Sequence, residues 1–103
     1  MYTLSGRFEW DEQKNEENIR KHGLDFEDAP EVFNFPMLVR LDDRTDYGED
    51  RWIGVGMIRG RVVVVVYTER DGGDTIRVIS LRKALKHERQ GYEKILSHGL
   101  ESH

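Results

Sequence analysis

From position 61 to 70 the chain reads Arg-Val-Val-Val-Val-Val-Tyr-Thr-Glu-Arg, and no other segment constrains the fold as tightly. Five consecutive β-branched residues disfavour a helix and favour a pleated strand. The run is too short to cross a membrane as a helix, which needs roughly 18 to 20 apolar residues. It therefore predicts a central strand of a sheet. The tetrapeptide Asp71-Gly72-Gly73-Asp74 follows at once and predicts a hairpin into a strand at Thr75–Leu81. Upstream, Arg59-Gly60 predicts a tight turn from a strand at Arg51–Ile58, and Met37–Leu41 predicts another strand.

The flanks carry helical signals. After a short strand at Phe8–Trp10, Asp11 is placed as an N-cap, with Glu12, Glu16 and Glu17 close behind it. Lys21 and His22 suit the helix end, and Gly23 is suited to leaving it. Asn15, Ile19 and His22 share one face of this polar helix, which needs tertiary support. Asp25 is placed to cap a second, short helix whose buried stripe is Phe26, Ala29, Val32 and Phe33. A last helix is predicted from about Lys83 to Ser97, with Ala84, Leu85, Tyr92, Ile95 and Leu96 toward the core. The expected class is α+β, in the order β-α-α-β-β-β-β-α. An antiparallel sheet with the helices packed on one face leaves the other face free to be polar.

At 103 residues the chain predicts a single domain over 1–103, with its core at about 8–96. No repeat, linker or low-complexity segment interrupts it. Met1–Trp10 lacks a basic region followed by an apolar one, so no secretory leader is expected, and a cytoplasmic protein is. Cysteine is absent, which excludes disulfides, thiolate metal sites and thiol catalysis. No His, Asp and Glu spacing marks a metal site, and no Gly-rich phosphate loop is present, so neither metal nor cofactor is expected. The net charge is −4, but unevenly spread: residues 1–50 carry −8, residues 51–90 carry +5 and residues 91–103 carry −1. The basic segment fits an anionic partner, and its charges fit a merely solvated face as well.

That segment holds Arg51, Arg59, Arg61, Arg70, Arg77 and Arg82. Guanidinium groups are planar, always charged and bidentate, which suits phosphate. Strict alternation puts Arg70 with Val62, Val64 and Val66, but separates Arg77 from Arg82. These arginines cannot all face one way unless a bulge intervenes. Each could instead pair with a carboxylate or guard a sheet edge. Glu88 lies four residues from both Ala84 and Tyr92 on the stripe that faces the sheet, and a carboxylate there needs an arginine. It is placed to orient a catalytic Arg, to act as a general base, or to hold a structural ion pair. His22, at a helix end, is a candidate acid or base, or a packed C-terminal histidine. His98 and His103 fall in the C-terminal tail and receive no role.

Several stretches together resemble one family. They are Phe8-Glu9-Trp10-Asp11, Lys21-His22-Gly23-Leu24, Phe26-Glu27-Asp28-Ala29, Val32-Phe33, Glu49-Asp50-Arg51 and Val66-Tyr67-Thr68-Glu69-Arg70. The series ends with Arg77-Val78-Ile79-Ser80-Leu81-Arg82-Lys83-Ala84, then Glu88 and Tyr92. In this order they resemble the BrnT toxins of type II toxin-antitoxin systems. The resemblance implies a RelE-like fold and a metal-independent endoribonuclease that cleaves RNA and inhibits translation. It also implies a BrnA-type antitoxin partner, through which alone operator DNA would be met, and no membrane partner. Catalytic candidates are then His22, Arg51, Arg70, Arg82 and Glu88, with Arg61, Arg77, Lys83 and Tyr92 binding RNA. The competing reading is a non-catalytic interaction module of the same fold, binding a partner protein or the ribosome.

Overall fold

The valine-rich segment is β4 (Arg61–Arg70), in the middle of a five-stranded sheet. The computed structural model describes residues 7–101, with side chains as far as Ser97. Strands β1 (Arg7–Glu9), β2 (Leu38–Leu41), β3 (Trp52–Ile58) and β5 (Thr75–Lys83) complete the sheet in the order β1-β5-β4-β3-β2. Helix α1 (Glu12–His22), a 3-10 turn at Phe26–Asp28 and α2 (Ala29–Val32) precede β2, and α3 (Lys86–Glu101) follows β5. None of these helices is long and apolar enough to cross a membrane.

Turn chemistry sets the hairpins. Arg59 and Gly60, at φ 47° and 80°, close the β3–β4 turn in the left-handed conformation that two-residue hairpins require. Asp71–Gly73 closes β4 onto β5, with Arg70 opposite Thr75 as the last pair.

The sheet is mixed, not antiparallel: β1 runs parallel to β5, with Arg7, Phe8 and Glu9 opposite Thr75, Ile76 and Arg77. No short turn joins these two strands, so nothing forces them antiparallel. The helices also divide between the two faces. Phe26, Ala29 and Val32 pack with Val63, Val65, Tyr67, Ile76, Val78 and Leu81 in the main core. Gly56 allows this approach, since a Cβ there would lie 2.7 Å from Val32 Cγ1. Helix α3 crosses the opposite face, where Glu88 meets Arg82, the ladder partner of Val64, and Tyr92 is buried. Both Val62 and Val64 are buried there, so an uninterrupted apolar strand is covered on both sides.

Two helices differ from expectation in register. Asp11 does cap α1, accepting from Gln13 N and Lys14 N, and Gly23 leaves it at φ 71°. Yet Asn15 and Asn18 are the buried positions, and Ile19 and His22 are exposed. The asparagines are inside because they serve backbone groups. Asn18 donates to the carbonyls of Leu24 and Leu81 and accepts from Leu81 N–H. Asn15 accepts from Phe26 N–H and donates to Asp25. Helix α3 starts at Lys86, not Lys83, because β5 continues through Lys83 and Ala84 N–H still reaches the Val62 carbonyl. Its inward positions are Glu88, Tyr92 and Leu96, with Leu85 and Ile95 outside.

Candidate nucleic-acid interface

A bulge in β5 decides where the arginines point. Val66 pairs with Ser80, but Tyr67 pairs with Val78, so Ile79 is an extra residue between them. The alternation shifts by one, a classical effect of a bulge on side-chain direction. Ile76, Val78 and Leu81 therefore all enter the main core, and Arg77 and Arg82 emerge together on the opposite face. Arg77 is opposite Thr68 and Arg82 opposite Val64, on the face that also carries Arg70, opposite Thr75. Arg51, just before β3, continues the alternation onto the same face. Arg51 and Arg77 line one small cleft of about 80 Å³ with Lys14 and Glu49. From Val64 to Arg70 the face spans about 20 Å at the usual strand rise.

Each guanidinium on this face is held. Arg77 Nη1 lies 2.8 Å from Glu9 Oε2, and Arg70 Nη2 lies 3.4 Å from Glu49 Oε1. Arg82 donates to both Glu88 oxygens, at 2.8 and 2.9 Å. Arg51 stacks over the Tyr47 ring, its Cζ 4.1 Å from the centroid, and its buried Nε has no hydrogen-bond partner. Tyr47 Oη donates to Asp42, which also accepts from the Nε, Nη2 and backbone N–H of Arg44. Those bonds, the Arg44 side chain first, hold the Asp42 carboxyl well below the usual carboxylate range. The loop from Asp42 to Arg51 is thus braced by its own side chains, and it fixes the Arg51 plane.

Glu88 has two tasks. Besides Arg82 it accepts from Leu85 N–H at 2.7 Å, as the third helical residue does in a capping box. The Arg82 guanidinium, followed by the Leu85 amide, pulls its pKa down to about 2. A carboxylate so acidic is a poor proton acceptor near neutral pH, since effective general bases have pKa values near the working pH. The geometry makes Glu88 a positioning residue that fixes the Arg82 fork.

The remaining candidates are distributed elsewhere. His22 is exposed at the end of α1, one turn past Asn18, and no hydrogen bond or ion pair joins it to the arginines among the described residues. Tyr92 is interior, 2% exposed, and donates from Oη to the Pro36 carbonyl at 2.7 Å, so it packs α3 in place and offers no surface to RNA. Arg61 and Lys83 line a separate cleft against α3. His98 and His103 lie outside the described side chains. Glu9, Asp42, Arg44 and Tyr47 carry the site's support and were not singled out from the sequence. Only Glu9 had a signal, as the polar residue alternating with Phe8 and Trp10. Among the described residues no three His, Asp or Glu side chains converge as metal ligands would.

Residues 10–88 match the family model described as ribonuclease toxin, BrnT, of type II toxin-antitoxin system. No curated protein matches the chain.

Proposed function

The chain belongs to the BrnT family of ribonuclease toxins of type II toxin-antitoxin systems, and from that premise we propose that it is a metal-independent endoribonuclease that cuts RNA in the cytoplasm and so inhibits translation. The fold is read as RelE-like. In this reading a single strand lies along the arginine face, Arg51, Arg70 and Arg77 hold its phosphates, and Arg82 contacts the scissile one. The ribose 2′-oxygen attacks phosphorus, forming the P–O2′ bond as the P–O5′ bond breaks. The 2′ proton leaves to solvent and the 5′ oxygen takes one from water. The protein's share is charge stabilisation, a role that positioned guanidiniums fill without a protein nucleophile. Glu88 orients Arg82 and takes no proton. A BrnA-type antitoxin covers the face through an acidic or amphipathic segment, and operator DNA is met only through it.

One observation carries the reading: the β5 bulge collects Arg70, Arg77 and Arg82 on one face. Expression of the chain alone is expected to arrest growth, with co-expression of an antitoxin encoded alongside restoring it. Normal growth with intact, soluble protein would refute it. A second reading, a non-catalytic module binding a partner protein or the ribosome, is favoured by the carboxylate that each of these arginines already holds. Cleavage of naked RNA by the purified protein separates the two.

A further inference from the structure

Beside the arginine face, the β3–β4 turn, the end of β5 and the first turns of α3 enclose a cleft of about 340 Å³. Arg61, Lys83 and Arg89 line it from these three elements, with Glu93 one turn beyond Arg89 on α3. Among the described residues, none of the three cations has an ion pair or a side-chain hydrogen bond, and neither has Glu93. The contrast with Arg70, Arg77 and Arg82, each matched to a carboxylate, is direct. The cleft therefore holds two positive charges in excess, in a chain whose net charge is −4.

Rigid backbone keeps these cations together. The Arg59-Gly60 turn sets the start of β4, and Ala84 N–H binds the Val62 carbonyl at 3.0 Å, tying the end of β5 to it. Glu88 caps Leu85 and fixes where α3 begins, hence where Arg89 projects. Like charges held together repel, and a concave site with a net excess raises the local concentration of anions. The cleft also adjoins the arginine face. Lys83 follows Arg82, whose Nη1 donates to the Lys83 carbonyl at 3.2 Å, and Arg89 follows Glu88.

We infer that this cleft is a second anion subsite, which takes the phosphodiester backbone of the RNA strand flanking the one bound at Arg82. The inference rests on the RNA-cleaving reading and extends it. It makes Arg89 an RNA contact, and it makes Glu93 the group that limits affinity there.

The test is equilibrium binding of 2′-O-methyl RNA, which the protein cannot cut, across a salt series. A 20-nucleotide and a 4-nucleotide strand are compared on wild type, on the triple variant Arg61→Gln, Lys83→Gln, Arg89→Gln, and on Glu93→Gln. All four residues are exposed, so folding is retained, and thermal melting checks it. Single strands lose about 0.7 of the log–log salt slope per phosphate contact. The triple variant should bind the long strand with a slope shallower by about 2 and bind the short strand unchanged. Glu93→Gln should tighten the long strand. Equal slopes for the triple variant and wild type would overturn the subsite while leaving RNA cleavage intact. Failure of wild type to bind either strand would overturn both readings. An unchanged RNA slope with weakened antitoxin binding would make the cleft a protein contact instead.

Discussion

The ion pair between Arg82 and Glu88 gives the sharpest separation between chemistry and architecture. Arg82 is about one-third exposed, so its fork can reach a ligand, and Glu88 holds it with two bonds of 2.8 and 2.9 Å. On the proposed reading, Arg82→Ala removes a donor aimed at the developing phosphate charge, and loss of one such donor lowers turnover roughly 10²–10³-fold. Its effect on stability is small. A partly solvated pair contributes about 1 kcal/mol, or about 4–8 °C in Tm for a domain of this size. Arg82→Lys should fail to restore activity, because one ammonium cannot copy the bidentate fork. Glu88→Gln keeps an oxygen for Leu85 N–H and loses the charge that orients Arg82, so it should stay folded and lose activity. RNA cleavage rates report the chemistry, while circular dichroism and antitoxin binding report the fold. If both Arg82→Ala and Glu88→Gln remain folded and cut RNA at the wild-type rate, the pair is architectural. The catalytic role then passes to Arg51, Arg70 and His22.

Three further outcomes follow from the same geometry. Glu88 is held near pKa 2 against an ordinary 4.5, so its contribution to stability is complete above about pH 4.5 and is lost as pH falls through about 2. The difference in Tm between wild type and Glu88→Gln should therefore narrow from pH 5 toward pH 2, and a gap that widens would contradict the assignment. Asn18→Ala leaves the Leu81 N–H and carbonyl without the side chain that serves both, and should destabilise by about 2–3 kcal/mol in urea unfolding; a change below 0.5 kcal/mol would show that water replaces Asn18. Gly56→Ala drives a Cβ to within 2.7 Å of Val32 and should lose about 1–3 kcal/mol, measured the same way, unless α2 shifts without loss.

How much of this was legible in the sequence depends on how local each determinant is. The strands and hairpins were, because Val62–Val66, Arg59-Gly60 and Asp71–Asp74 carry their own conformational preference. The capping residues Asp11 and Gly23 were, for the same reason. The parallel β1–β5 pair was not, since three residues at one end of the chain carry no mark of a partner nearly seventy positions away. The buried side of α1 was not legible, because its inward residues are asparagines bound to backbone, which hydrophobic periodicity ranks as exposed. The second covered face does have a local signal, since a run apolar at both parities needs a cover on each side. The bulge at Ile79 matters most for the site and has no local mark in Arg77–Arg82. Alternation alone split those two arginines, and the ladder register reunites them.

The central claim is that this arginine face cuts RNA through the substrate's own 2′-hydroxyl. The direct test incubates the purified protein in EDTA with a single-stranded RNA and with the same strand carrying 2′-deoxyribose throughout. The account predicts cleavage of the RNA alone, leaving 2′,3′-cyclic or 3′-phosphate and 5′-hydroxyl ends. An intact RNA, a cut deoxy strand, or cleavage that returns only with a divalent metal would contradict it.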